Sequence, residues 1–126
     1  MTMRNMILIV DDNLPCAEPL QIALEAITGV EVHVAGDAVA ALKILGMAPH
    51  RIAAVITDWR MPSISGLDLL RTLKSDAMLC DVPVLVISGD SDPGLPALAL
   101  SGGAVAFFTK PYSPLAVRKR LEQVLA

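Results

Sequence analysis

Two consecutive carboxylates, Asp11 and Asp12, close the apolar run Met6-Ile7-Leu8-Ile9-Val10, and a third, Asp58, closes the run Ala53-Ala54-Val55-Ile56-Thr57. Runs of strand length that are apolar at successive positions read as parallel strands buried on both faces. Their acids then emerge together at the carboxyl edge of one sheet, where open α/β sheets bind ligands. Three carboxylates converging there repel one another unless a cation sits among them, and an all-oxygen cluster with room for water suits Mg²⁺. The chemistry expected is metal-assisted handling of a phosphoryl group. Two further runs end at the same rim, in Ser88-Gly89 and in Phe107-Phe108-Thr109-Lys110-Pro111, adding a hydroxyl and an ammonium. Taken singly, an Asp after a strand is commonly a helix cap, a Ser there a turn residue and a surface Lys a solvated charge. Five such groups on four strand ends make a site.

Positioning that rim requires a repeated βα pattern. Strand-like runs at 6–10, 31–35, 52–57, 82–87 and 104–109 alternate with helix-like segments at 15–28, 36–47, 65–75, 93–101 and 113–125. With right-handed crossovers these give a five-stranded, doubly wound parallel sheet, an α/β domain of the flavodoxin-like (βα)5 type. Asp37 and Ser65 stand where N-caps belong, and Pro114 fits a first helical turn. Pro19 lacks the amide that would close a turn on the Pro15 carbonyl, so the first helix is expected to begin after Pro15 or to be distorted there. Pro93-Gly94-Leu95-Pro96 opens the fourth helix and Gly102-Gly103 ends it. A short, loosely held helix with a small conformational gap between its states is expected.

The 126 residues, 54% of them apolar and 18% charged, exclude a disordered chain and suit one domain spanning 1–126. No apolar run approaches the roughly 20 residues of a membrane helix, so a soluble, cytoplasmic protein is expected. The start, Met1 to Asn5, leads directly into a strand-like run with no signal-peptide pattern, and with the close at Leu125-Ala126 a stand-alone protein is expected, the alternative being one domain of a longer chain. Net charge is −3, and the one basic cluster, Arg118-Lys119-Arg120, reads as the solvated end of a helix, against a nucleic-acid binder. Cys16 and Cys80 fall near opposite edges of the sheet and are expected as free thiols, Cys16 the more reactive at a helix N-terminus.

Ile9-Val10-Asp11-Asp12-Asn13, Asp58-Trp59-Arg60-Met61-Pro62 with Gly66, Ser88-Gly89, Gly103-Ala104 and Lys110-Pro111 together resemble the receiver domain of two-component response regulators. Order, spacing and strand-end placement agree over essentially the whole chain. The resemblance implies that Asp58 is the phosphoacceptor, attacking a phosphohistidine on a sensor histidine kinase or histidine phosphotransfer protein. It implies Mg²⁺ held by Asp12 directly, by Asp11 directly or through water, by Asp58 and by the backbone carbonyl of Arg60, whose side chain is not implied as a ligand. Lys110 would pair with Asp58 at rest and with a phosphoryl oxygen afterwards, and a cis bond would precede Pro111. Ser88 would donate its hydroxyl to the phosphoryl group, with small Gly89 leaving access beside it.

Phe107 matches the aromatic switch position, which is Tyr in many receivers; the alternative is that Phe107 and Phe108 are ordinary core. Output would pass through the fourth helix, fifth strand and fifth helix to an unidentified protein partner or attached domain, and the same elements would serve a homodimer. The resemblance carries no enzymatic activity beyond the domain's own phosphorylation and dephosphorylation, and no contact of this domain with nucleic acid or membrane. Other readings are a receiver-like interaction module that is never phosphorylated and a Mg²⁺-dependent phosphohydrolase or phosphotransferase. Short connections leave the latter little material for a substrate cap. A nucleotide or flavin module is disfavoured, because Asp-Asp-Asn after the first strand repels phosphates and no Gly-rich cradle follows.

Overall fold

The apolar runs at 6–10, 52–57 and 84–87 become the middle of the sheet. The computed structural model describes residues 4–61 and 64–126, so Pro62 of the motif above lies outside the described residues. Strands β1 (Met6–Val10), β2 (Glu31–Ala35), β3 (Ile52–Asp58), β4 (Val84–Ser88) and β5 (Ala106–Thr109) form one parallel sheet in the order β2-β1-β3-β4-β5. Every residue of β1, β3 and β4 is buried, as strands covered on both faces must be. β2, which carries Glu31 and His33, and β5, which ends in exposed Thr109, take the two edges.

Helices α1 (Leu14–Glu25), α2 (Ala38–Met47), α3 (Gly66–Ser75), α4 (Leu95–Ser101) and α5 (Pro114–Leu125) cover the sheet on both sides. Alternation along β1 divides the core: Ile7 and Ile9 pack with Leu20 and Leu24 of α1 and Val117 and Leu121 of α5. Met6, Leu8 and Val10 pack with Leu45, Leu70, Leu73 and Ala99 from α2, α3 and α4. Leu20 and Leu73 are almost wholly enclosed, so truncating either to Ala would cost about 2–5 kcal/mol. The caps fall where the sequence places them: Asp37 Oδ1 accepts from the Ala40 amide at 2.7 Å and Ser65 Oγ from the Asp68 amide at 3.1 Å. Pro114 opens α5 behind Ser113, whose Oγ accepts from the Ala116 amide at 3.2 Å.

Several boundaries differ from expectation. Helix α1 begins at Leu14, ahead of Pro15, and runs through Pro19. Asn13 Oδ1 caps it by accepting from the Cys16 amide at 3.3 Å, and Pro15 and Pro19 are both exposed, so water can replace the one bond Pro19 cannot make. It stops at Glu25, and Gly29, with φ +82°, turns the chain toward β2. β4 starts two residues later than expected because Pro83 has no amide for the ladder, although its carbonyl still accepts from Val55 at 3.0 Å. α4 is seven residues long, with Pro96 in its first turn, and the chain leaves it through Gly103 at φ +109°. Cys16 and Cys80 are free. The basic cluster is only partly solvated: Arg118 pairs with Glu122, and Arg120 donates to the Val105 carbonyl. Among the described residues no helix is long and apolar enough to cross a membrane.

Candidate phosphoryl-transfer site

Strand register brings the rim together. Val10 pairs with Thr57, Asp58 with Ile87 and Ser88 with Thr109, so Asp11, Asp58, Ser88 and Lys110 arrive side by side at adjacent strand ends. Asp11, Asp12 and Asp58 each offer a carboxylate oxygen within 4.8 Å of the others. Asp11 and Asp58 are buried, at 6% and 8% exposure, and Asp12 faces water. Burial pushes the Asp11 carboxyl above the ordinary aspartate value; the Asn13 amide, donating to Oδ1 at 2.9 Å, opposes that, and the charges of Asp58 and Asp12 reinforce it.

Lys110 is the counter-charge. Its Nζ donates to Asp58 Oδ2 at 2.6 Å, while Asp58 Oδ1 accepts from the Arg60 amide at 3.2 Å. Burial acts to lower the Lys110 pKa, but the bond to Asp58 and the charges of Asp58 and Asp11 carry it above the usual lysine value. The Lys110 amide donates to the Ser88 carbonyl at 2.8 Å, and the Lys110–Pro111 peptide is cis. Ser88 is fully buried, and its Oγ accepts from the Asp90 amide at 3.0 Å. That leaves the hydroxyl proton free to donate elsewhere. Phe107 is half-buried against the cluster that holds Trp59, Leu95 and Ala99, on the α4 side of the sheet, whereas Phe108 packs on the α1 and α5 side.

Two relationships were not visible in the sequence. Gly66 lies against the backbone of the acid itself: a Cβ there would stand 2.9 Å from Trp59 Cα and press on the Asp58 carbonyl, and the Gly66 amide donates to Trp59 O at 2.8 Å. The Arg60 side chain, which sequence reasoning left without a role, forms an ion pair with Asp90, its Nε 3.1 Å from Oδ2. That bond, aided by the Asp92 amide, holds the Asp90 carboxyl below the ordinary aspartate range. The available signal was stride: Arg60 follows Asp58 by two residues as Asp90 follows Ser88, and those strand ends are neighbours. Asp58, Arg60, Gly89, Asp90, Ser91 and Lys110 line an open cleft of about 490 Å³.

The donor set fits a hard divalent cation. It is all oxygen, it gathers three carboxylates against the single nearby ammonium, and one of the three stays exposed to admit hydrated metal. Asp11, Asp12, Asp58 and the Arg60 carbonyl are the groups that would hold it.

The response regulator receiver domain family matches residues 7–122. The chain belongs to that family. It is thus a component of two-component signal transduction. This receiver is 33% identical over 119 residues to the phosphate regulon transcriptional regulatory protein PhoB of Pseudomonas aeruginosa, covering 94% of the chain and 51% of the relative. It is 34% identical to the chemotaxis protein CheY1 of Helicobacter pylori over 81% of the chain and 74% of that protein. The chain therefore spans about half the length of the first of these relatives. Among solved structures, a receiver domain protein from Clostridium thermocellum superposes with a TM-score of 0.86 at 29% identity, covering 96% of this chain and 94% of that one. A receiver protein from Pseudomonas putida gives 0.82 at 31%, covering 98% and 99%. Receiver domains in general are signal transducers rather than enzymes, bind Mg²⁺ at the acidic pocket, and interact with histidine kinases and downstream targets.

Proposed function

We propose that this chain, as one receiver domain over residues 1–126, accepts a phosphoryl group on Asp58 from the phosphohistidine of a sensor histidine kinase or histidine phosphotransfer protein. The observation that carries this reading is the Asp58–Lys110 pair at 2.6 Å, set beside Asp11 and Asp12 at the mouth of an open cleft. A buried carboxylate with a mobile cation on one side and two acids on the other is arranged as a nucleophile awaiting charge compensation.

An Asp58 oxygen attacks phosphorus, the P–N bond breaks with its electron pair left on the imidazole, and an acyl phosphate forms on Asp58. Mg²⁺ held by Asp11, Asp12, Asp58 and the Arg60 carbonyl would neutralise phosphoryl oxygens as negative charge redistributes. Lys110 moves its ammonium from the Asp58 carboxylate to a phosphoryl oxygen, a short travel for a flexible point charge. Ser88 donates a hydrogen bond from its free hydroxyl to another phosphoryl oxygen, which draws the β4–α4 loop inward. Phe107, already against α4, repacks as that loop moves, and the surface of α4, β5 and α5 changes for a downstream protein or attached domain. The same surface would serve a homodimer, and the domain works in the cytoplasm without contacting nucleic acid or membrane. Its only chemistry is its own phosphorylation and dephosphorylation.

Trp59, the chain's one tryptophan, directly follows Asp58 and is buried, so its fluorescence reports on the site. Titration with Mg²⁺ followed by acetyl phosphate should give two successive responses, with intact mass rising by one phosphoryl group. Asp58→Asn should keep the fold and lose the second response. An unchanged wild-type mass would favour a receiver-like module that acts by binding alone, and labelling of Asp58→Asn at the wild-type level would mean that another residue is the nucleophile.

A further inference from the structure

Arg60 is 78% exposed, yet its guanidinium is not loose: Nε and Nη2 both donate to one oxygen of Asp90, whose side chain is only 19% exposed. The other Asp90 oxygen, Oδ1, accepts from the Asp92 amide at 3.0 Å, and Asp92 Oδ1 accepts in turn from the Gly94 amide at 2.9 Å. With Ser88 Oγ accepting from the Asp90 amide, the whole connection from β4 to α4 is a run of three side-chain-to-amide bonds, each spanning two residues. Arg60 is fastened to the middle of that run. From its other end, the Arg60 amide holds Asp58 Oδ1, and both Arg60 and Asp90 line the cleft over Asp58.

We propose that Arg60 is a phosphoryl-binding residue: its guanidinium, seated on Asp90 at rest, transfers to the phosphoryl oxygens on Asp58 and thereby frees Asp90 and the connection to α4. The inference rests on the phosphoacceptor reading of Asp58 and adds a residue and a second output route to it. At rest the guanidinium spends two donors on a single carboxylate oxygen, a side-on contact that leaves its fork unmatched. A phosphoryl group brings more negative charge and three acceptor oxygens, which the planar fork matches better. An exposed ion pair contributes little to stability, so the resting seat is easily vacated. Once it is vacated, Asp90 faces the new negative charge without a counter-charge, and repulsion acts on the run of bonds that ends at α4. Ser88 pulls the same connection from its first bond; Arg60 releases it from the second.

Beryllofluoride, a non-covalent stand-in for the phosphoryl group, tests this with Mg²⁺ present and Trp59 fluorescence as the readout. Arg60→Gln should bind it about three- to tenfold more weakly, because a charge-assisted bond to the ligand is lost and only an exposed pair was exchanged for it. Asp90→Asn should bind it more tightly, by up to about threefold, because Arg60 is already released. In the double variant the gain from Asp90→Asn should vanish. Equal affinities for wild type and Arg60→Gln would overturn the inference, as would an undiminished gain from Asp90→Asn in the Arg60→Gln background, which would mark plain charge removal. Failure of the wild type to bind beryllofluoride and to take up label from acetyl phosphate would instead overturn the phosphoacceptor reading, and this inference with it.

Discussion

Lys110 holds two neighbouring strand ends at once: its ammonium lies 2.6 Å from Asp58 Oδ2 at the end of β3, and its amide donates to the Ser88 carbonyl at the end of β4. Removing the ammonium leaves the backbone bond and strips Asp58 Oδ2 of its partner and the buried carboxylate of its counter-charge. Lys110→Ala should therefore lower the stability of the metal-free protein by about 1–3 kcal/mol, the range for an unpaired buried polar group. Added Mg²⁺ should recover more stability in the variant than in the wild type. Labelling from acetyl phosphate should persist without the change at Phe107 and α4. Melting curves with and without Mg²⁺ check the first part; an unchanged melting temperature would show that the pair contributes nothing at rest.

The three clustered carboxylates are a liability until a cation arrives. Asp11→Asn keeps an oxygen for the Asn13 amide and removes the charge whose burial raises the pKa. The metal-free variant should melt higher than the wild type, by about 1 kcal/mol of stability, and should gain less from Mg²⁺. Chelation of Mg²⁺ should abolish labelling of the wild type. Calorimetric scans in the presence of chelator and of Mg²⁺ read both effects.

Gly66→Ala places a methyl group against the Asp58 carbonyl and Trp59 Cα, atoms of a strand end that cannot move without moving the acid. A loss of about 3 kcal/mol is expected, together with a weakened Mg²⁺ response of Trp59. Gly46→Ala is the control. It lies inside α2 with nothing within 4 Å of the added carbon, so stability should rise by about 0.5–1 kcal/mol.

Away from the site, Arg51 Nη2 donates to Glu31 Oε2 at 2.6 Å on the edge strand, and this bond holds the Glu31 carboxyl below its ordinary value of 4.5. A carboxylate whose folded pKa is depressed stabilises the folded state above its unfolded value and loses that contribution as pH falls through the folded one. Arg51 is the cation facing it, and His33 Nε2 lies 3.4 Å from Glu31 Oε1. The difference in melting temperature between wild type and Arg51→Gln should therefore be largest near neutral pH and shrink as pH falls from about 5 toward 3. A difference that is constant over that window would assign the effect of Arg51 to packing.

The strands and the acids were legible because the apolar runs stop abruptly at Asp11 and Asp58, and a buried strand can end in charge only where the sheet meets water. The helix caps were equally plain, since Asp37 and Ser65 stand directly before their helices. The start of α1 was not legible: Pro19 argues for a late beginning, Asn13 for an early one, and the exposure that settles the contest in favour of Asn13 is a tertiary fact. The Arg60–Asp90 pair escaped for a similar reason. Neither residue signals the other until the register of β3 against β4 is known, and that register is written in neither segment alone.

Every chemical group of the site hangs from a strand end, and the sheet's own ladder of backbone bonds sets their spacing. The outward faces of the helices, where Leu14, Ile22, Val39, Leu98 and Leu100 stand exposed, take no part in that spacing. Inheritance can therefore work on the two at different speeds. Duplicated copies of such a gene are free to drift on the outside until each recognises a different companion, while the shared chemistry beneath is passed on unaltered.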